Sequence, residues 1–226
     1  MANHLDLEEQ EQLDQIKHFW KQYGNLITWA LILVLGGFAA WNLYHRWQQS
    51  QATQASALYD ELDRVVKAGD TSKLDRVLTD MKGKFAGTTY AQQAALMAAK
   101  AYFEGGKLDE AKAALRWVAE KSPDEGYQAV AKLRLAGVLM DAKAYDEAFK
   151  QLAGNFPAEF AALVADRKGD IFSLQGKKAE ARTEYEKSYK AFVDRLEYRR
   201  LVEVKLNALG VNPRPDSGAV AVEGKK

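Results

Sequence analysis

The sequence contains no cysteine, only three histidines and only four prolines. Without cysteine there is no disulfide, no thiol nucleophile, no thiolate metal site and no N-terminal cysteine to carry a lipoprotein acyl chain. The histidines, His4, His18 and His45, all lie in the first part of the chain. Everything beyond them lacks the commonest general base and metal ligand. No phosphate-binding loop or dinucleotide fingerprint occurs. The carboxylate pairs Asp109-Glu110 and Asp146-Glu147 fall at turn and helix-start positions, where they read as solvated caps rather than acid–base machinery. These absences predict a protein that is not an enzyme, with no catalytic residue, no cofactor and no metal site. A formal net charge of +1 gives no electrostatic footprint for nucleic acid. No stretch alternates with period two, so no sheet is expected. Pro123 and Pro157 fall between helical runs, where proline is tolerated.

Charge is also missing from one long segment. Between Lys21 and Arg46 no side chain is ionised, and LITWALILVLGGFAAWNLY, residues Leu26 to Tyr44, is almost wholly apolar. At about 1.5 Å per helical residue this reaches the thickness of a bilayer's hydrocarbon core. Four of the five tryptophans, Trp20, Trp29, Trp41 and Trp47, lie in or beside it, and Tyr23 and Tyr44 bracket it. Amphipathic rings at both ends suit the two headgroup levels. Leu26, Trp29, Leu33, Gly36, Ala40, Trp41 and Tyr44 are the expected anchor residues, and Gly36 with Ala40 forms a small-xxx-small pair that suits a helix–helix contact. Two other readings remain open here. A buried core helix would ordinarily show a polar stripe. A signal peptide cut after Phe38-Ala39-Ala40 would ordinarily follow a shorter, basic head. For orientation, Lys17 and Lys21 precede the run and Arg46 follows it, the next basic residue being Arg64. The positive-inside count therefore favours a cytoplasmic head by one residue.

Past the run the pattern is helical throughout. Ala55, Leu58, Tyr59, Leu62, Val65 and Val66 recur at helical spacing up to Gly69. A second helix follows, with Asp70 or Thr71 as its cap and Leu74, Val77, Leu78, Met81 and Phe85 on one face. Residues 92–125 then place Ala99, Tyr102, Gly106, Ala111, Leu115, Val118 and Pro123 at tetratricopeptide spacing. Small residues at Ala99 and Ala111 let two helices of a hairpin approach closely. A second copy carries Ala136, Leu139, Tyr145, Ala148 and Leu152, with Lys143 where the turn glycine would stand. A third carries Gly169, Phe172, Gly176, Ala181 and Tyr185. Ala111, Ala148 and Ala181 lie 37 and 33 residues apart, around the ~34-residue period of such repeats. The pair at 46–85 reads as a degenerate first repeat, and Leu201, Val202, Val204, Leu206 and Leu209 as a closing helix ending at Gly210.

The expected fold is all-α: one transmembrane helix followed by a tetratricopeptide-like right-handed superhelix of stacked helical hairpins. The expected organisation is a head at 1–21, a membrane helix at 22–47, a repeat domain at 48–210 and a disordered tail at 211–226. In such a stack the first helix of each hairpin lines a concave face. That register selects Gln93, Leu96, Lys100 and Phe103, then Leu133 and Met140, then Leu163, Asp166 and Asp170 as a partner groove. With two aspartates and no asparagine in the set, an apolar or basic partner segment is the expected cargo. A spacer or dimerisation surface is the plainer alternative.

The order of several stretches resembles one family. KQYGNLITW leads the span, WNLYHRWQQSQ leaves it, and ADRKGDIFSLQGKKAEARTEYEKSY and VEVKLNALG follow in the repeat region. Together they make the chain similar to the YfgM family of bacterial inner-membrane proteins with a tetratricopeptide-like tail, from about Leu5 to Gly210. The charged run Phe192–Arg200, with Arg195, Arg199 and Arg200, departs from the family's shorter loop. The resemblance implies a single-pass protein of the bacterial inner membrane, its N-terminus cytoplasmic and its C-terminal domain periplasmic. It implies an ancillary subunit of the Sec translocon, acting beside a membrane-anchored periplasmic chaperone of the prolyl-isomerase type and meeting unfolded exported clients. It implies no catalytic residues and no small-molecule substrate. A cytosol-facing tetratricopeptide scaffold, or a structural oligomerisation protein, is the competing reading.

Overall fold

The computed structural model describes residues 7–192 and 197–214; residues 1–6, 193–196 and 215–226, the last holding most of the expected disordered tail, lie outside the described residues. Among the described residues there are nine α-helices, one short 3-10 turn and no strand. The chain divides into two units at Thr53/Gln54.

The described part of the first unit, from Leu7 on, is helix. It belongs to α1, Leu7–Ala68, which runs unbroken through 21/22, 38–40 and 47/48. Head and span are thus one helix, because no proline falls in this range and Gly36-Gly37 sits inside an otherwise strongly helical run. None of the apolar window is covered by another part of the described chain. Leu26, Trp29, Leu33, Trp41 and Tyr44 are all exposed, and a Cβ at Gly36 would meet nothing. A core helix would have its apolar face buried, so the buried-helix reading does not describe this segment. α1 is long and apolar enough to cross a membrane.

The second unit is a stack of helical hairpins. The C-terminal part of α1 pairs with α2, Thr71–Lys84; Ala55, Leu62 and Val65 share one core with Leu74, Val77, Leu78 and Met81. Asp70 caps α2, its carboxylate accepting from Lys73 N–H at 3.0 Å. Three further hairpins follow: α3, Thr89–Glu104, with α4, Leu108–Lys121; α5, Glu125–Asp141, with α6, Tyr145–Leu152; and α7, Ala161–Leu174, with α8, Lys178–Ala191. Pro157 opens the 3-10 turn Ala158–Phe160 ahead of α7. The chain closes on α9, Glu197–Ala208.

One backbone device ends every first helix of a pair. Gly69, Gly106, Lys143, Gly176 and Gly210 all adopt positive φ, between 59° and 79°. At each, the residue's own N–H bonds back three residues and the next N–H bonds back five, as in Gly106 to Phe103 and Lys107 to Tyr102. This double bond satisfies helix-end carbonyls that would otherwise be orphaned. The residues stand 37, 37, 33 and 34 apart. The spacing makes α1–α2 the first repeat and puts α9 where the opening helix of a fifth would stand.

Side chains follow the same count. Seven residues before the left-handed position stand Ala99, Ala136 and Gly169, and five after it stand Ala111, Ala148 and Ala181, all buried. Nine after it stand Leu115, Leu152 and Tyr185, also buried. The α7–α8 hairpin therefore trades an alanine–leucine pair for a glycine–tyrosine pair of similar total volume. A Cβ at Gly169 would lie 2.5 Å from the Tyr185 ring. The sequence pattern 201, 202, 204, 206, 209 is not one face: Val202 and Leu206 are fully buried, whereas Leu201 and Val204 are exposed, as the i, i+4 spacing of a single stripe requires.

Lys143 is the one non-glycine at a left-handed position among the described residues. A Cβ there costs about 1 kcal/mol. Replacing Lys143→Gly is expected to raise the stability of the repeat unit by up to about 1 kcal/mol, read as a higher urea midpoint with unchanged slope. A lower midpoint would show that the lysine side chain contributes more than its backbone costs.

Candidate partner-binding groove

The first helices of successive hairpins, α3, α5 and α7, lie side by side and form a groove of about 320 Å³. Its floor is Leu96 and Ala99 of α3, Leu115 of α4, and Leu133 and Val138 of α5, with Phe103 standing at one wall. Lys100, Arg134, Asp141 and Arg167 complete the lining. Phe103 is 38% exposed although it is a large apolar ring, whereas Leu96 is only 7% exposed and belongs also to the core.

Gly137 of α5 also lines the groove. It sits inside α5 with ordinary helical φ, where glycine is worse than alanine by roughly 0.5–1 kcal/mol. A Cβ there would meet no atom within 4 Å. The helix thus carries a destabilising residue whose absent side chain leaves the groove open.

Four residues selected from the repeat register, Leu96, Lys100, Phe103 and Leu133, come together here. The other five do not. Gln93 lies nearer the start of α3 and donates to the Tyr127 hydroxyl of α5 at 2.8 Å. Met140 is buried in the core, and Leu163 is half-buried and away from the lining. Asp166 and Asp170 are engaged elsewhere, because the register that faces the groove in α3 and α5 is covered by α9 at the end of the stack. Asp166, 1% exposed, accepts from Tyr198 at 2.8 Å and from Lys205 at 2.7 and 2.9 Å. Asp170 accepts from the same Lys205 and from Tyr185, at 2.7 and 2.8 Å. Burial and the neighbouring carboxylates push the Tyr185 and Tyr198 hydroxyls well above the usual phenol range, so both remain donors. Two arginines, Arg134 and Arg167, were not in the projected set. They stand nine residues before Lys143 and Gly176, a recurrence that register counting from the turns reveals.

The run at Phe192–Arg200 also finds a place in part. Arg199 stacks over the Tyr189 ring at 4.1 Å, while Arg195 lies outside the described residues. Asp109, Glu110, Asp146 and Glu147 are exposed in the first turns of α4 and α6, favourably placed against the helix dipole. Among the described residues no cluster of histidine, aspartate and glutamate has the geometry of a metal site.

Fold and groove together define a tetratricopeptide-like repeat protein that also carries one helix able to cross a membrane. Residues 17–211 match the tetratricopeptide repeat-like domain family. The chain is 33% identical over 210 residues to a protein of Neisseria gonorrhoeae named ancillary SecYEG translocon subunit, covering 92% of this chain and all of that one. Proteins of the same name from Haemophilus influenzae and Escherichia coli are 30% and 28% identical, each across 90% of this chain and 98% and 97% of their own lengths. The chain belongs to this family, the YfgM family. A comparison with solved structures gave no match.

The α7–α9 network makes a stability claim. Lys205 is 22% exposed and is the cation shared by Asp166 and Asp170. Lys205→Met is expected to destabilise the repeat unit by about 3 kcal/mol, because it strands a buried carboxylate. Adding Asp166→Asn should recover most of the loss in chemical denaturation. A single variant as stable as the parent would mean that the network contributes nothing to holding α9.

Proposed function

We propose that the protein is a non-enzymatic, single-pass adaptor of the bacterial inner membrane that presents its repeat groove beside the SecYEG channel. The head at 1–21 is cytoplasmic, the segment 22–47 anchors the chain, and the repeat domain at 48–210 works on the periplasmic side. The observation that carries this reading is the open groove at Phe103, Leu133 and Gly137, in a chain whose relatives along nearly their whole length are named ancillary translocon subunits. An apolar groove free of acid–base machinery suits weak, reversible capture of a polypeptide. Tethering by α1 raises the local concentration of the groove for partners at the same membrane, so low intrinsic affinity suffices. Those partners are translocon subunits, a membrane-anchored periplasmic prolyl-isomerase-type chaperone and emerging unfolded chains.

Gly137→Leu tests the groove without threatening the fold, since it fills open space and improves helix propensity. Crosslinking in intact membranes, followed by identification of the SecYEG subunits, should show full-length parent protein joined to the channel or its chaperone. The Gly137→Leu variant should lose at least the groove-dependent adducts while its thermal unfolding is unchanged or raised. Identical adducts in both proteins would discard the groove as the contact surface.

Orientation is read separately. With no natural cysteine, Lys121→Cys on exposed α4 supplies a unique thiol. A membrane-impermeant maleimide should label it in intact spheroplasts. Labelling only after lysis would place the repeat domain in the cytosol and favour the scaffold reading.

A further inference from the structure

The groove has a charge bias that the sequence register hid. Its lining carries three cations, Lys100, Arg134 and Arg167, against one carboxylate, Asp141. Lys100 lies 3.7 Å from Glu104 with both side chains well exposed, a pairing that neutralises little in water. Arg167 is met within the fold, 3.5 Å from Asp170 Oδ2 while Lys205 holds Oδ1 at 2.7 Å, so the bias rests chiefly on Arg134. Arg134 is exposed and has no ion-pair partner among the described residues. Asp166, which would have offset these cations, is taken into the contact with α9. The bias is local, because the whole chain has a formal net charge of only +1.

Taking the groove to be the partner site proposed above, we propose that its occupant is a partner-protein segment in which apolar side chains alternate with carboxylates. Leu133, Phe103 and the space over Gly137 take the apolar side chains. Arg134 and Arg167 meet the carboxylates, for which a guanidinium offers paired donors in a matching plane. A lysine-rich segment of the same apolar content meets like charge instead, and charge juxtaposition of this kind selects against wrong partners.

The test uses the full-length chain in nanodiscs of zwitterionic lipid and two fluorescent peptides. Both carry the same leucines and phenylalanines; one has Glu and Asp between them, the other Lys. The acidic peptide should bind at least about tenfold tighter by fluorescence anisotropy and should weaken as salt is added. Arg134→Glu should abolish or reverse that preference, and Gly137→Leu should weaken binding of both peptides. Equal affinities, a preference for the lysine peptide, or an unchanged preference in Arg134→Glu would overturn the proposal. Arg134-dependent binding to vesicles of anionic lipid, without preference between the peptides, would also overturn it, in favour of a lipid surface. Channel crosslinking of the parent and Gly137→Leu, run in parallel, separates the two claims. If groove-dependent crosslinks persist while the peptides are not distinguished, the acidic occupant falls and the adaptor stands. If Gly137→Leu leaves the crosslinks untouched, the groove itself is not the adaptor's contact surface.

Discussion

Each hairpin in this protein turns on one residue held in the left-handed region, with its N–H bonded three residues back and the following N–H bonded five back. The turn fixes where the first helix of a pair stops and where the second starts. It thereby sets which residues of both helices meet. Ala99 and Ala111, or Ala136 and Ala148, are buried because they stand at fixed counts from that turn. Any other helix end would rotate the face that each helix offers its partner. Small residues at those counts then allow the close approach that excludes water from the hairpin core. The repeat is therefore defined more sharply by a backbone conformation than by any side chain, and Lys143 keeps the conformation even where the glycine is gone.

A stack of hairpins has ends, and its ends need separate solutions. At the C-terminal end the face that lines the groove in α3 and α5 continues onto α7, where it meets α9 rather than solvent. The covering is polar as well as apolar: Lys205 spans Asp166 and Asp170, and Tyr198 and Tyr185 donate to the same carboxylates. Such a network is expensive when one member is missing and specific when all are present. It defines one seating for α9, and the Gly169–Tyr185 exchange belongs to it, since only a tyrosine at that position carries a hydroxyl to Asp170. The α7–α8 hairpin is the one whose packing departs from the alanine–leucine pattern, and it is the one that receives α9.

Much of this was legible in the sequence. The uncharged run before Arg46, the alanines at 111, 148 and 181 and the small–aromatic–glycine order around Gly106 are local patterns whose physical meaning does not depend on distant neighbours. Four of the groove's eleven lining residues were legible for the same reason: Leu96, Lys100, Phe103 and Leu133 follow from helical register. Asp166 and Asp170 share that register but not that fate, because what covers them is α9, some forty residues away, and no periodicity announces a tertiary contact. Arg134 and Arg167 were obscured differently. Long polar side chains read as solvent-facing, and only their fixed distance from Lys143 and Gly176 shows that they share one face.

The groove's chemistry follows from how the end of the stack is closed. If Asp166 and Asp170 stood free, the face shared by α3, α5 and α7 would be mixed in sign, with little reason to discriminate among apolar segments. Lys205, with Arg167 on the outer oxygen of Asp170, satisfies both carboxylates at the α9 contact and leaves Arg134 beside an apolar floor. The same ion pairs that seat α9 therefore make the groove basic. Gly137 supplies the third condition, since a β-carbon there would enter open space in the groove that it lines. Stability and the groove's form are coupled at opposite signs in these two places. The network adds to the fold and sets the groove's charge, whereas the glycine subtracts from the helix and sets the groove's depth.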